Sequence, residues 1–218
     1  MLKYDAVIFD LDGTLVDTLE DLADAMNRVL SAERAPAHSH ATYKLLIGKG
    51  IRNLVGQALP AEKRSAQTIA ACYERMIADY GENHLVKTRR YDGAAELVSG
   101  LRAAGVKPAV FSNKSHHLTR RIVESLFDPA DFDLVVGAQP GVPPKPDPTV
   151  ALAISERLGV APGRIVFLGD SGLDMLTATA AGMIAVGAAW GFRTKDELVE
   201  SGARLVLDHP RELLELRG

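Results

Sequence analysis

The sequence predicts an α/β protein: a mostly parallel sheet with helices on both faces, plus a small all-helical domain inserted after the first strand. Three observations predict it. Short apolar runs of strand length recur along the chain, helical patterns with glycine stops lie between most of them, and one long stretch carries no strand signal. The runs are Ala6-Val7-Ile8-Phe9, Pro108-Ala109-Val110-Phe111, Leu134-Val135-Val136, Ile165-Val166-Phe167-Leu168, Ile184-Ala185-Val186 and Leu205-Val206-Leu207. Unbroken apolar residues, rather than alternating ones, mark strands buried on both faces of a parallel sheet.

The intervening helices announce their ends. Leu97, Leu101 and Ala104 precede Gly105; Val150, Ile154 and Leu158 precede Gly159; Leu176 and Ala180 precede Gly182. Thr194 and Glu197 form a plausible capping box opening a late helix. From residue 17 to residue 88 the rhythm breaks. Leu19, Leu22, Ala23, Met26, Val29 and Leu30 make one helical stripe, and Ile69, Tyr73, Met76, Ile77 and Tyr80 another. The expected division is therefore a core of residues 1–16 and 89–218 and a helical domain of residues 17–88. No repeat or low-complexity tract is evident.

Bulk composition narrows the function. The chain has 218 residues, 47% of them hydrophobic, and a formal net charge of −3. That is enough apolar material for a sizeable core, and it argues against a general nucleic-acid binder. No apolar stretch reaches membrane-spanning length, and the start of the chain does not read as a signal peptide. A single cysteine, Cys72, rules out an internal disulfide and reads as a small core residue. The expectation is a cytoplasmic protein without membrane or nucleic-acid partners.

The chemistry sits at strand ends, where open α/β sheets bind ligands. The first strand runs into Asp10-Leu11-Asp12-Gly13-Thr14, the second into Ser112-Asn113-Lys114, and the fourth into Gly169-Asp170-Ser171 with Asp174 following. Asp10 and Asp12 are two apart, so strand geometry points them to one side, and Gly13 permits a sharp departure. Several carboxylates in one crevice need a cation. An all-oxygen set without His or Cys suits a hard ion, of which Mg²⁺ is the common one that also bridges to phosphate. Lys145, in Pro143-Pro144-Lys145-Pro146-Asp147-Pro148, is stiffly presented and can bind a phosphate oxygen. The crowded prolines also raise the expectation of a cis Lys145–Pro146 bond. Ser112 and Asn113 offer a hydroxyl and an N–H at an expected helix start, an anion seat or simply a cap.

These segments, Asp10-Leu11-Asp12-Gly13-Thr14-Leu15, Phe111-Ser112-Asn113-Lys114, Lys145-Pro146-Asp147-Pro148 and Gly169-Asp170-Ser171-Gly172-Leu173-Asp174, resemble in order the signature motifs of the haloacid-dehalogenase-like hydrolases. The resemblance covers the whole chain and is nearest to the phosphoglycolate phosphatase group. It implies a Rossmann-like core with a helical cap and a Mg²⁺-dependent phosphatase acting on a small phosphorylated metabolite. Asp10 would form an aspartyl-phosphate and Asp12 would be general acid and base. Ser112, Asn113 and Lys145 would hold the phosphoryl group. Mg²⁺ would be bound by Asp10, the Asp12 carbonyl and Asp170, with Asp174 ordering a metal water. Asp12 disfavours haloacids as substrates, because a dehalogenase lacks that second acid.

The helical domain contributes Ile47-Gly48-Lys49-Gly50-Ile51-Arg52. A Gly48-Lys49-Gly50 turn can bring backbone and a cation close to a ligand, and Lys49 or Arg52 can pair with a carboxylate such as that of phosphoglycolate. An ordinary turn with solvated charges fits equally well. The same motifs serve sugar phosphomutases of the β-phosphoglucomutase type and pyrophosphatases, and a non-catalytic regulatory module on this fold is the non-enzymatic alternative. A monomer or a homodimer is expected.

Overall fold

The computed structural model describes residues 2–216. The chain opens with β1 (Ala6–Phe9) and the two-residue β2 (Val16–Asp17), then runs through α1 (Leu19–Ala32), α2 (His40–Leu46), α3 (Ile51–Ala58) and α4 (Ala66–Asn83). It continues as β3 (Arg89–Arg90), α5 (Ala94–Ala103), β4 (Lys107–Ser115), α6 (His116–Leu126), β5 (Leu134–Ala138) and α7 (Thr149–Leu158). The last elements are β6 (Ile165–Gly169), α8 (Gly172–Ala180), β7 (Ile184–Ala188), α9 (Lys195–Glu200), β8 (Leu205–Leu207) and α10 (Glu212–Glu215). Two compact units result. One is built from the residues up to Asp17 and those from Arg90 onward; the other is Thr18–Arg89.

The first unit holds a six-stranded sheet in the order β5-β4-β1-β6-β7-β8. Every pairing is parallel, so each connection is a crossover with a helix laid on a face. Because side chains alternate along a strand, each apolar run feeds two cores. Val7, Phe9, Val110, Val166, Leu168 and Val186 face α5 and α6, meeting Leu97, Leu101 and Ile122. Ala6, Ile8, Ala109, Phe111, Phe167 and Ala185 face α7, α8 and α9, meeting Ile154, Met175 and Leu198. Each buried Val, Leu, Ile, Phe or Met side chain among them contributes about 1.5–3 kcal/mol relative to exposure. β1 lies between β4 and β6, with Phe9 beside both Val110 and Leu168, so β1 and β6 end at nearly one level while β4 runs on. No helix among the described residues is long and apolar enough to cross a membrane.

β4 is longer than its apolar run. It continues past Phe111 to Ser115 by shifting register against β5, so that Ser115 pairs with Ala138. Ser112 and Asn113 therefore lie in a strand and not at a helix start, and α6 begins only at His116. The expected box at α9 closes one way. Thr194 accepts from Glu197 N–H at 3.2 Å, but the Glu197 carboxylate turns to the Gly172 N–H, also at 3.2 Å.

The Thr18–Arg89 unit is built on the helices α1 to α4. Leu19, Leu22, Ala23, Met26, Val29 and Leu30 on α1 and Cys72, Met76 and Tyr80 on α4 are buried. Asp21 is buried among them. It accepts the Lys87 N–H at 3.0 Å, the Thr88 N–H at 2.8 Å and the Thr88 hydroxyl at 2.8 Å, tying α1 to the chain's return segment.

Candidate active site

Two strand ends deliver the carboxylates. Asp10 follows β1, its N–H donating to Leu168 O at 2.9 Å. The chain then folds back: Leu15 and Val16 N–H both reach Leu11 O at 3.1 Å, and Gly13 takes φ +86°. That turn needs glycine twice over, since a Cβ at Gly13 would overlap the Asp170 carboxylate. Asp170 follows β6, and its Oδ2 accepts the Phe192 N–H at 2.7 Å. A Cβ at Gly191 would also strike Asp170, so its carboxylate sits in a cradle of two glycine backbones. Asp174 lies in the first turn of α8. Its Oδ2 accepts the Ser171 N–H at 3.1 Å and hydroxyl at 2.6 Å.

Lys145 comes in from the loop after β5. Its N–H donates to Asn113 Oδ1 at 2.9 Å and its carbonyl accepts from Asn113 Nδ2 at 3.3 Å, which pins the loop to β4. The Lys145–Pro146 bond is cis. The ammonium lies 2.6 Å from Asp174 Oδ1 and 2.8 Å from Asp10 Oδ1, over the rings of Phe111 and Phe167. The contact to Asp10 is an ion pair by distance but lacks hydrogen-bond geometry, so buried Asp10 Oδ1 has no hydrogen bond.

The carboxylates of Asp10, Asp170 and Asp174 converge, with one oxygen of each within 4.8 Å of the others, all buried. Asp12 is not in that group. Its Oδ1 instead accepts from Lys114 Nζ at 2.7 Å. Four carboxylates thus share two ammonium groups, Lys145 and Lys114. Arg193 pulls on Asp170 more weakly while paired at 3.5 Å with Glu197. The imbalance shows in the acids. Burial pushes the Asp10 carboxyl up to about 7; the Lys145 ammonium opposes the rise, and the Asp174 and Asp12 charges add to it. Asp170 is raised as well, first by burial and then by Asp10 and Asp174. Two uncompensated negative charges and a donor set of oxygens only are what a hard divalent cation would satisfy, so the residues present fit Mg²⁺.

The other expected site residues are placed as follows. Ser112 is buried and its Oγ accepts the Lys114 N–H at 3.2 Å, while Asn113 is engaged with Lys145. In the helical unit, Gly48 and Gly50 adopt φ +124° and +81° around an exposed Lys49. Arg52 is exposed, with its guanidinium 4.5 Å over the Tyr73 ring. Two features were given no role from the sequence. Gly191-Phe192 seats Asp170, although a Gly-Phe pair after a buried strand is otherwise unremarkable. Lys114 pairs with Asp12; the available hint was a lysine ending an apolar strand with small polar neighbours. Trp190, read as packing, packs against the core and also donates to Thr14 O at 3.0 Å.

The sequence profile of the haloacid dehalogenase-like hydrolases matches residues 7–188, and the chain belongs to that family. Among its relatives is a phosphoglycolate phosphatase from Rhodospirillum rubrum, 33% identical over 209 residues, covering 93% of this chain and 86% of the relative. An N-acetylmuramic acid 6-phosphate phosphatase from Pseudomonas aeruginosa is 28% identical, covering 99% and 95%. The crystal structure of a candidate phosphoglycolate phosphatase from Lactobacillus delbrueckii subsp. bulgaricus superposes with a TM-score of 0.92 at 29% identity, covering 98% of each chain.

Proposed function

We propose that this protein is a phosphatase that hydrolyses a small organic phosphate monoester in two displacements on Asp10. The observation that carries the reading is the Asp10 carboxylate itself: buried, beside the Lys145 ammonium, with an oxygen that no hydrogen bond engages. In the first displacement an Asp10 oxygen attacks phosphorus, the bond from phosphorus to the leaving oxygen breaks, and Asp12 gives that oxygen its proton. In the second, Asp12 takes a proton from water, the water oxygen attacks phosphorus, and the Asp10–phosphorus bond breaks to release phosphate. Lys145, with Ser112 and Asn113, holds the phosphoryl oxygens; Lys145 also offsets charge on Asp10 and Asp174. Asp10, the Asp12 carbonyl and Asp170 would hold Mg²⁺, with Asp174 in support. When bound, the ion would neutralise the carboxylates and the phosphoryl oxygens.

The Thr18–Arg89 unit is proposed as a cap that selects the leaving group through residues 48–52. Phosphoglycolate and N-acetylmuramic acid 6-phosphate, the compounds named for two relatives, each carry a carboxylate as well as a phosphate ester, adjacent in the first and across the sugar ring in the second. That supports a carboxylate-bearing substrate met by Lys49 or Arg52. A single cysteine, buried in α4, supports a cytoplasmic setting.

The test is a Mg²⁺-dependent phosphate-release screen over many esters, phosphoglycolate included, ranked by kcat/KM. Turnover of carboxylated alkyl phosphates supports the reading. Isomerisation of a sugar phosphate that needs a sugar bisphosphate, with little phosphate released, would indicate a mutase. Preference for inorganic pyrophosphate would indicate a pyrophosphatase. No turnover on the whole panel would leave a binding module.

A further inference from the structure

Asp12 is asked to give a proton and then to take one, so its carboxylate must stay aimed at the same point through both displacements. A side chain on a loop after a strand does not hold its aim unaided. Lys114 touches it: Nζ to Asp12 Oδ1 is 2.7 Å, and the lysine side chain is 2% exposed.

Lys114 is itself fixed from several sides. It is part of β4, which pairs with β1 in register from Lys107 to Val110. Its N–H donates to Ser112 Oγ at 3.2 Å and its carbonyl accepts from Thr119 Oγ1 at 3.1 Å. A Cβ at Gly137 would run into that carbonyl, so β5 lies directly against it. A buried lysine rooted in a strand has little rotamer freedom left to lose. That differs from an exposed lysine paired by chance, which contributes little.

We propose that Lys114 is the positioning residue of the proton-transfer step, holding Asp12 Oδ1 so that Oδ2 meets the leaving oxygen. Lys145 serves the phosphoryl group; Lys114 serves the proton. The inference rests on the acid/base reading of Asp12 given above, and it adds a second lysine with a separate task. Its consequence is selective. An alkoxide leaving group needs the proton as the bond breaks, whereas a nitrophenolate departs without it.

The experiment compares kcat/KM for phosphoglycolate and for para-nitrophenyl phosphate in the wild-type protein, Lys114→Met, Lys114→Arg, Asp12→Asn and the Asp12→Asn/Lys114→Met double variant, all with Mg²⁺. The ratio of the two constants within one preparation is independent of how much of that preparation is folded. Lys114→Met is expected to lower kcat/KM for the alkyl ester by about 10²-fold and for the aryl ester by less than about threefold. Lys114→Arg should restore part of the alkyl activity. In the Asp12→Asn background, Lys114→Met should cost the alkyl ester little more, because the two act as one unit. Equal losses on both esters, or full additivity in the double variant, would overturn the inference. Asp12→Asn separates the two levels: if it shows the alkyl-selective loss and Lys114→Met does not, only the inference falls. If Asp12→Asn shows no selectivity, the acid/base reading falls first.

Discussion

The strand-end site of the first unit and the turn at residues 48–52 of the helical unit are both charged and glycine-containing, yet they are built in opposite ways. At the strand ends Asp10, Asp170, Asp174, Lys114 and Lys145 are buried, and the two lysines are claimed by named carboxylates. Around Lys49 the charge is exposed, and Arg52 leans on a tyrosine ring. Three neighbouring strands paired in register can hold groups to within a few tenths of an ångström, as chemistry at phosphorus requires. An exposed turn between short helices can change residue without disturbing a core. The contrast supports the proposed division, in which the sheet sets the reaction type and the turn sets substrate choice.

If that division is right, substitutions at the sheet should cost far more than substitutions at the turn. Asp10→Asn should show the largest effect, lowering kcat by about four orders of magnitude or more while leaving circular dichroism unchanged. Undiminished phosphate release would break the covalent scheme. Lys145→Met comes next. It leaves the Asp10 and Asp174 charges without their shared cation, and should cost about 3 kcal/mol of stability in denaturant titration along with a kcat/KM loss of about 10³-fold. A fall in stability without loss of activity would confine Lys145 to a structural task.

The metal-free protein gives a third test. Asp10 is raised to about 7, and Asp170 is raised too, so the folded protein keeps protons that the unfolded chain has released. Stability of the metal-free protein should therefore be greatest near pH 4 and fall as pH rises toward about 7. Mg²⁺ should raise Tm more at about pH 8 than at about pH 5, because at the lower pH it must displace those protons. An equal Tm gain at both values would argue that the ion binds elsewhere. Lys49→Ala and Arg52→Ala should have the smallest effects: KM for phosphoglycolate raised about tenfold or less, kcat within about twofold, Tm nearly unchanged. An equal rise in KM for an ester with no carboxylate would dissociate the turn from substrate choice.

Much of this arrangement was legible in the sequence because the physics is local. Buried parallel strands must be continuously apolar, so Ala6-Val7-Ile8-Phe9 and Ile165-Val166-Phe167-Leu168 announced themselves, and the polar residues that follow stood out against them. What stayed hidden depends on pairing across the sheet. The extension of β4 to Ser115 comes from a register shift against β5, which no pattern within residues 112–115 encodes. Lys114 and Asp12 are 102 positions apart, and only the adjacency of β4 to β1 joins them. The Phe192 N–H on Asp170 was invisible for the same reason: a backbone donor has no letter in the sequence.

The stereochemical course at phosphorus tests the central claim most directly. An alkyl phosphate made chiral at phosphorus by isotopic oxygen and sulfur substitution would be hydrolysed with Mg²⁺ and the configuration of the product phosphate determined. Two in-line displacements, first by Asp10 and then by water, predict net retention. Net inversion would mean that water attacks the ester directly, and it would contradict a covalent role for Asp10.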